Sequence, residues 1–194
     1  MQLDLKRPLA VFDLETTGLN PARHGIHQIS GEIVINGKSV ETFDFHVRPN
    51  EKAVIDDEAL KIAGVTREQV LAYPPMVDVY WKFVNMLAKY VDKFNQKDKL
   101  FLAGYNNAAF DNQFLRGFFL QNGDQYFGSW FWSNSIDVMV LATQHLLSER
   151  SQLENFKLAT VARYFSIDVT EEGLHDAMYD IKLTRAIYGF VTNN

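Results

Sequence analysis

The chain has no cysteine among its 194 residues. That rules out disulfides and thiolate metal sites and leaves only oxygen or imidazole ligands for a metal. It has no apolar run long enough to span a bilayer and no N-terminal stretch of signal-peptide type, so the expected setting is the cytoplasm, away from membranes. Positive charge is scarce: 19 Lys and Arg against 24 Asp and Glu leave a net charge of −5. This argues against broad, sequence-independent coating of nucleic acid, which needs many cationic contacts to phosphate. A small site where metal ions meet a phosphate stays open, because acidic clusters hold such ions. Repeats, low-complexity tracts and linkers are also missing. With 47% hydrophobic and 22% charged residues, the expectation is one globular domain over residues 1–194.

What the chain does have is Leu9-Ala10-Val11-Phe12-Asp13-Leu14-Glu15-Thr16-Thr17-Gly18, an apolar run of strand type with two carboxylates set into it. Successive side chains on a strand point to opposite faces, so Asp13 and Glu15 share one face while Phe12 and Leu14 take the other. Two like charges side by side in a packed sheet repel, and a bound divalent cation is the cheapest relief. Alone, an Asp-x-Glu pair reads better as two solvated acids at an edge. The small polar break Thr-Thr-Gly shifts that balance, because an α/β sheet places its ligand just beyond the end of a strand.

The pattern predicts strands over residues 8–15, Ile26 to Ile35 and Val40 to Val47, the last two joined by the hairpin signal Asn36-Gly37-Lys38. A short helix is expected from Asp56 to Ala63, ended by Gly64, and Thr66 with Gln69 stands at capping-box spacing. After Pro74-Pro75 comes an amphipathic helix over about Met76 to Phe94, with Val77, Tyr80, Trp81, Val84, Leu87, Ala88 and Val91 on one face. Leu100 to Tyr105 is a buried-strand run. Helices are expected over about 111–121, 136–147, 157–165 and 176–191. Antiparallel strands first, then strands alternating with helices, give an α/β fold: a mixed sheet with helices packed on it.

Two later stretches repeat the opening logic. Leu102 to Asp111 runs from a buried strand through small polar residues to an acid at a helix start; by itself Asp111 is commonly only a cap or dipole residue. Gly173-Leu174-His175-Asp176-Ala177-Met178-Tyr179-Asp180 sets a histidine five residues before an acid. On one regular helix those two would point about 140° apart. Convergence needs His175 in the loop before the helix and Asp180 in its second turn. Four acids and a histidine on separate segments suit one chemistry. Two divalent ions roughly 4 Å apart, cradled by carboxylates, align a water against a phosphodiester and stabilise the leaving oxygen. A histidine near neutral pKa takes the water's proton.

With these residues in hand, the chain resembles the DEDDh superfamily of 3′–5′ exonucleases, which includes the proofreading subunit of bacterial replicative polymerase. Phe12 to Gly18 is similar to its first motif, Asn106-Asn107-Ala108-Ala109-Phe110-Asp111 to its second, and His175 to Asp180 to its third. Weaker echoes are Ala63-Gly64-Val65-Thr66 with Glu68, Ile136-Asp137, and Leu158 to Ala162 before Tyr164. The resemblance implies a ribonuclease-H-like sheet of three antiparallel strands followed by parallel ones. It implies two Mg²⁺ or Mn²⁺ ions held by Asp13, Glu15, Asp111 and Asp180, with His175 as general base releasing nucleoside 5′-monophosphates. By the same carry-over Thr16, Gly18, Leu19, Asn107 and Phe110 line the terminal-nucleotide pocket. Thr16 or its backbone holds the 3′-hydroxyl, and Leu19 and Phe110 flank the base. The implied partners are a single-stranded or frayed 3′ end of DNA or RNA and a polymerase or another replication or repair protein. The chain departs at Asn106 and Ala63, where many members carry histidine near the substrate.

The remaining features read blandly. Phe127, Trp130, Phe131 and Trp132 suit a core cap better than base stacking. His24, His27, His46 and His145 show no partner pattern, Asp137 reads as a helix cap, and Lys89, Lys93, Lys97 and Lys99 as a solvated face. Two other readings stand beside the exonuclease: a catalytically silent module binding a 3′ end or a protein, and a hydrolase of small phosphodiesters. A complete set of four acids and a histidine speaks against the silent module, since binding alone does not need it.

Overall fold

The computed structural model describes residues 8–174 and 176–192. Strands β1 (Leu9–Thr16), β2 (Ile26–Ile35) and β3 (Lys38–His46) form an antiparallel meander. Asn36 and Gly37 both take positive φ, 52° and 76°, which is the backbone of a two-residue hairpin turn. So tight a turn pairs Lys38 directly with Ile35, and β3 therefore starts two residues before the alternating pattern does. Strands β4 (Phe101–Gly104) and β5 (Ile136–Asp137) add on the other side of β1, both parallel to it, giving the order β3-β2-β1-β4-β5. The expected mixed sheet is present, and β1 is its central strand.

Helices cover both faces. On one, Phe12 and Leu14 join Ile29, Ile33 and Phe43 against α3 (Met76–Leu87), α4 (Asp111–Gln121) and α5 (Phe127–Trp130) in the largest core cluster. Short α1 (Asp57–Ile62) and α2 (Arg67–Ala72) lie between the meander and α3 in sequence, and Thr66 and Gln69 complete the capping box in both directions. On the opposite face, Leu9 and Val11 pack with Ile181 of α8 (Ala177–Thr192). Beside them α6 (Val138–His145), α7 (Leu158–Tyr164) and α8 share a second core of their own. Arg185 of α8 reaches across to Glu32 of β2 at 2.9 Å and to the Gly37 carbonyl at 3.1 Å, clamping that helix to the meander. Among the described residues no helix is long and apolar enough to cross a membrane.

Three expectations need correction. Helix α3 stops at Leu87 rather than Phe94, because the following acids and amides make turns of their own. Asp92 accepts from Phe94 N–H, Asn95 from Lys97 N–H and Asp98 from Asp92 N–H, each offering the backbone an alternative to helix. Its buried stripe is Val79, Tyr80, Phe83, Val84, Met86 and Leu87, whereas Val77 and Trp81 are exposed. Both stripes fit helical spacing, and packing of Phe83 on Phe43 at 5.8 Å accompanies the second. Ile136 and Asp137, expected to open a helix, form the edge strand β5. Phe127, Trp130 and Phe131 are core, as read, although Phe127–Trp130 also forms a helical turn that the sequence reading did not include.

His27 is fully buried on β2, and among the described residues neither ring nitrogen has a hydrogen-bond partner. Burial, helped by nearby His46, lowers its pKa from the usual 6.5 to about 4. The unfolded chain therefore binds a proton that the folded chain refuses, and stability is lost as pH falls from 6.5 toward 4. Denaturant titrations should show His27→Leu escaping on the order of 3 kcal/mol of this acid-induced loss. Parallel pH profiles for the two proteins would contradict it.

Candidate active site

Asp13 and Glu15 lie on the α8 face of β1, opposite Ser30 and Gln28 of β2. Neither neighbour supplies a cation, and both are already engaged: Ser30 Oγ and Gln28 Nε2 each donate to Asp44 Oδ1 at 2.8 Å. Beyond Val11 the parallel ladder to β4 ends, so the polar backbone of β1 is released where its acids begin. Asp111, the first residue of α4 and buried, fills this opening: its Oδ1 accepts Leu14 N–H at 3.2 Å. Asp180 arrives from the far side in the first turn of α8, one turn earlier than expected. That helix starts at Ala177, with Asp176 capping Tyr179 N–H at 2.8 Å. His175 lies outside the described residues.

The electrostatics show that these acids share one space. Burial first, then the carboxylates of Asp111, Glu15 and Asp180, drive Asp13 well above the usual carboxylate range. Burial, then Asp180, Asp111 and Asp176, raise Glu15 to about 8. Burial raises Asp111 to about 7 against the pull of its own N–H and that of Leu14, with Asp137 adding a smaller push upward. Among the described residues no Lys or Arg pairs with Asp13, Glu15 or Asp111. A cluster of hard oxygen donors without a counter-charge suits divalent cations such as Mg²⁺ or Mn²⁺. Among the described residues no three His, Asp or Glu side chains are grouped closely enough to hold a metal ion as they stand.

The loop after β1 is held from beneath. Thr17 Oγ1 donates to the Val54 carbonyl at 2.7 Å, and Thr17 N–H donates to the Gly25 carbonyl at 2.9 Å. Gly18, at φ 153°, packs on the His24 ring so closely that a Cβ would stand 2.4 Å from Cδ2. His24 is itself buried, accepting from Asn20 N–H at 3.0 Å and facing Asp56 across 3.0 Å. Thr16 spends its hydroxyl on the Gly18 carbonyl at 3.0 Å, and Leu19 projects from the loop with 82% exposure. On the other loop Asn106 takes φ 60°, a conformation Asn tolerates well. Asn107 is fully buried, its Oδ1 without a hydrogen-bond partner among the described residues and its Nδ2 donating to Asn112, and half-buried Phe110 packs on Phe114 at 5.0 Å. Sequence reasoning passed over His24, which carries no motif spacing; only its contact with Gly18 marks it.

Fold and acidic floor together define a nuclease of the ribonuclease-H-like class. Residues 10–188 match the exonuclease family model RNase_T. The chain belongs to this family, within the DEDDh superfamily of 3′–5′ exonucleases. The DNA polymerase III subunit epsilon of Buchnera aphidicola is 28% identical over 190 residues, covering 94% of this chain and 70% of the relative. The PolC-type DNA polymerase III of Mycoplasmopsis pulmonis is 28% identical over 184 residues, covering 95% of this chain and 11% of that protein. Exonuclease I of E. coli in complex with a dT13 oligonucleotide superposes with a TM-score of 0.76 at 21% identity, over 95% of this chain and 41% of that one. The chain thus spans about a tenth of the PolC-type polymerase and two fifths of exonuclease I.

Because Glu15 has a folded pKa raised from 4.5 to about 8, its stabilising contribution is present at low pH and is lost as pH rises through that window. In EDTA the melting temperature should therefore fall between pH 5 and 8.5, and Asp13→Asn should flatten the decline. Mn²⁺ should restore the loss in the wild type and not in the variant. A metal-independent melting curve in the wild type would refute the linkage.

Proposed function

We propose that the chain removes nucleotides one at a time from the 3′ end of DNA, with Asp13, Glu15, Asp111 and Asp180 holding two divalent ions, Mg²⁺ or Mn²⁺. The observation that carries this is the gathering of these carboxylates at the open end of the central strand, where among the described residues no Lys or Arg pairs with Asp13, Glu15 or Asp111. When bound, such ions supply positive charge for the phosphate oxygens and lower the pKa of water. The chain's own residues do the rest. His175, from the third sequence motif, takes the proton of the attacking water. The water oxygen bonds to phosphorus, the bond from phosphorus to the 3′-oxygen of the penultimate nucleotide breaks, and the terminal nucleotide leaves as a 5′-monophosphate.

The loops supply the pocket. Since the Thr16 hydroxyl is committed to Gly18, the backbone of this loop is the better partner for the terminal 3′-hydroxyl. Leu19, apolar and exposed beside the acids, and Phe110, steadied by Phe114, flank the terminal base. The Oδ1 of Asn107, without a hydrogen-bond partner among the described residues, is an acceptor open to a substrate donor. Exonuclease I was crystallised on a dT13 oligonucleotide, and its shared fold favours a single DNA strand as the substrate here. The epsilon relative favours a replicative polymerase as partner. Residues 1–194 act as a single exonuclease domain on this reading.

Digestion of 5′-labelled single-stranded DNA and RNA with Mg²⁺, Mn²⁺ or EDTA tests the proposal. A metal-dependent ladder shortening from the 3′ end is expected, faster on DNA; no product with either metal would overturn it. Asp13→Ala should reduce hydrolysis to background with the fold intact. His175→Ala should lower kcat by about 10² to 10⁴-fold and leave metal binding unchanged. Loss of metal binding in that variant would make His175 a ligand instead of the base.

A further inference from the structure

A buried carboxylate outside the acidic floor is tied to it through the backbone. Asp137 stands where β5 meets α6 and is 8% exposed. Its oxygens accept four backbone N–H groups: Met139 at 3.0 Å, Val140 at 3.4 Å, Asn106 at 3.1 Å and Ala108 at 3.2 Å. The first two make an ordinary helix cap. The other two belong to a different segment, the loop between β4 and α4, and α6 has no need of them.

That loop is what delivers Asp111. It turns through left-handed backbone at Asn106, and its carbonyls begin the next helix. The Asn106 carbonyl accepts from Phe110 N–H at 3.2 Å, and the Asn107 carbonyl accepts from Asn112 N–H at 2.9 Å. Asp111 then bonds Leu14 on the central strand. Strand β5 supports this region with a ladder of only two pairs, Ala103 with Ile136 and Gly104 with Asp137. A carboxylate suits the task because it has two accepting oxygens and no donor, whereas an amide would turn N–H toward one of the four N–H groups.

We propose that Asp137 is a positioning residue of the active site: it sets the Asn106–Ala108 loop and thereby the aim of Asn107 and Asp111. The inference rests on the reading of Asp111 as a metal ligand. The four N–H groups that Asp137 accepts lie on α6 and the Asn106–Ala108 loop, none of them on β1 or α8, so its loss should loosen the Asp111 side of the site first and reach α8 only through its packing on α6.

The experiment compares Asp137→Ala, Asp137→Asn and Asp13→Asn with the wild type. Mn²⁺ binding is followed by electron paramagnetic resonance without nucleic acid, together with melting temperature, kcat and KM. In Asp137→Ala, Mn²⁺ affinity should fall by about 10 to 100-fold, the cost typical of removing a group that orients a ligand, with a matching fall in kcat and still a cooperative melt. Asp137→Asn keeps one accepting oxygen and should lie between it and the wild type; if the alanine variant does not fold, the asparagine variant alone decides. Unchanged Mn²⁺ affinity with a lowered melting temperature would reduce Asp137 to a cap of α6. Loss of Mn²⁺ in Asp137→Asn as complete as in Asp13→Asn would make it a ligand, which also overturns the proposal. A wild type that binds no Mn²⁺ defeats the metal reading itself, and is recognised before any substitution is made.

Discussion

The repulsion among carboxylates at the open end of β1 is the interaction around which the rest of the structure is arranged. Asp13 and Glu15 are fixed on one face by the strand, Asp111 is buried against Leu14, and Asp180 comes down from α8. Such an arrangement opposes folding unless other forces hold it, and here several do. A large core on one face of β1 and a smaller one on the other lock the strand between helices. The Arg185–Glu32 pair ties α8 to the meander on the side where Asp180 approaches the other acids. Strain kept at one point and offset elsewhere is the usual condition of a site built for a charged ligand.

The sheet's unequal ladders give this repulsion somewhere to be useful. β1 pairs with β2 over nearly its whole length but with β4 only as far as Val11. Past that point the backbone of β1 takes a side-chain partner from α4 instead of a strand, at the carboxyl ends of the parallel strands, where α/β folds place their ligands. Two loops border it, each braced by a buried titratable side chain on which no substrate role was read: His24 beneath the first and Asp137 behind the second. The acids, then, stand on strand and helix ends, while the residues proposed to line the pocket stand on loops held by hydrogen bonds.

Much of this was legible from residues alone. The strand bounds of β2, the hairpin at Asn36-Gly37, the capping box at Thr66 and the start of α4 at Asp111 all follow from local signals that tertiary packing did not contest. The errors fell where two local readings were equally good. Residues 88–94 have apolar spacing that would extend α3, but Asp92, Asn95 and Asp98 bond neighbouring backbone first. Val77 and Trp81 fit a buried stripe as well as Phe83 does, and helix periodicity alone does not say which stripe meets the sheet. Ile136 and Asp137 were drawn into a strand by a neighbour more than thirty residues away in the chain.

By itself the sequence determined the acid spacing, since alternation on a strand puts Asp13 and Glu15 on one side whatever surrounds them. It also determined the order of the three motifs and the lack of any thiolate alternative. Only the tertiary structure decided that these acids come close enough to raise one another's pKa, that Asp111 closes the opening left by the short β4 ladder, and that Asp137 grips the neighbouring loop as well as its own helix. The reason is one of range. Backbone geometry and capping act over a few residues and can be read in order along the chain, whereas burial and charge repulsion act between segments about a hundred residues apart, as between Leu14 and Asp111, and exist only once the sheet has brought those segments together.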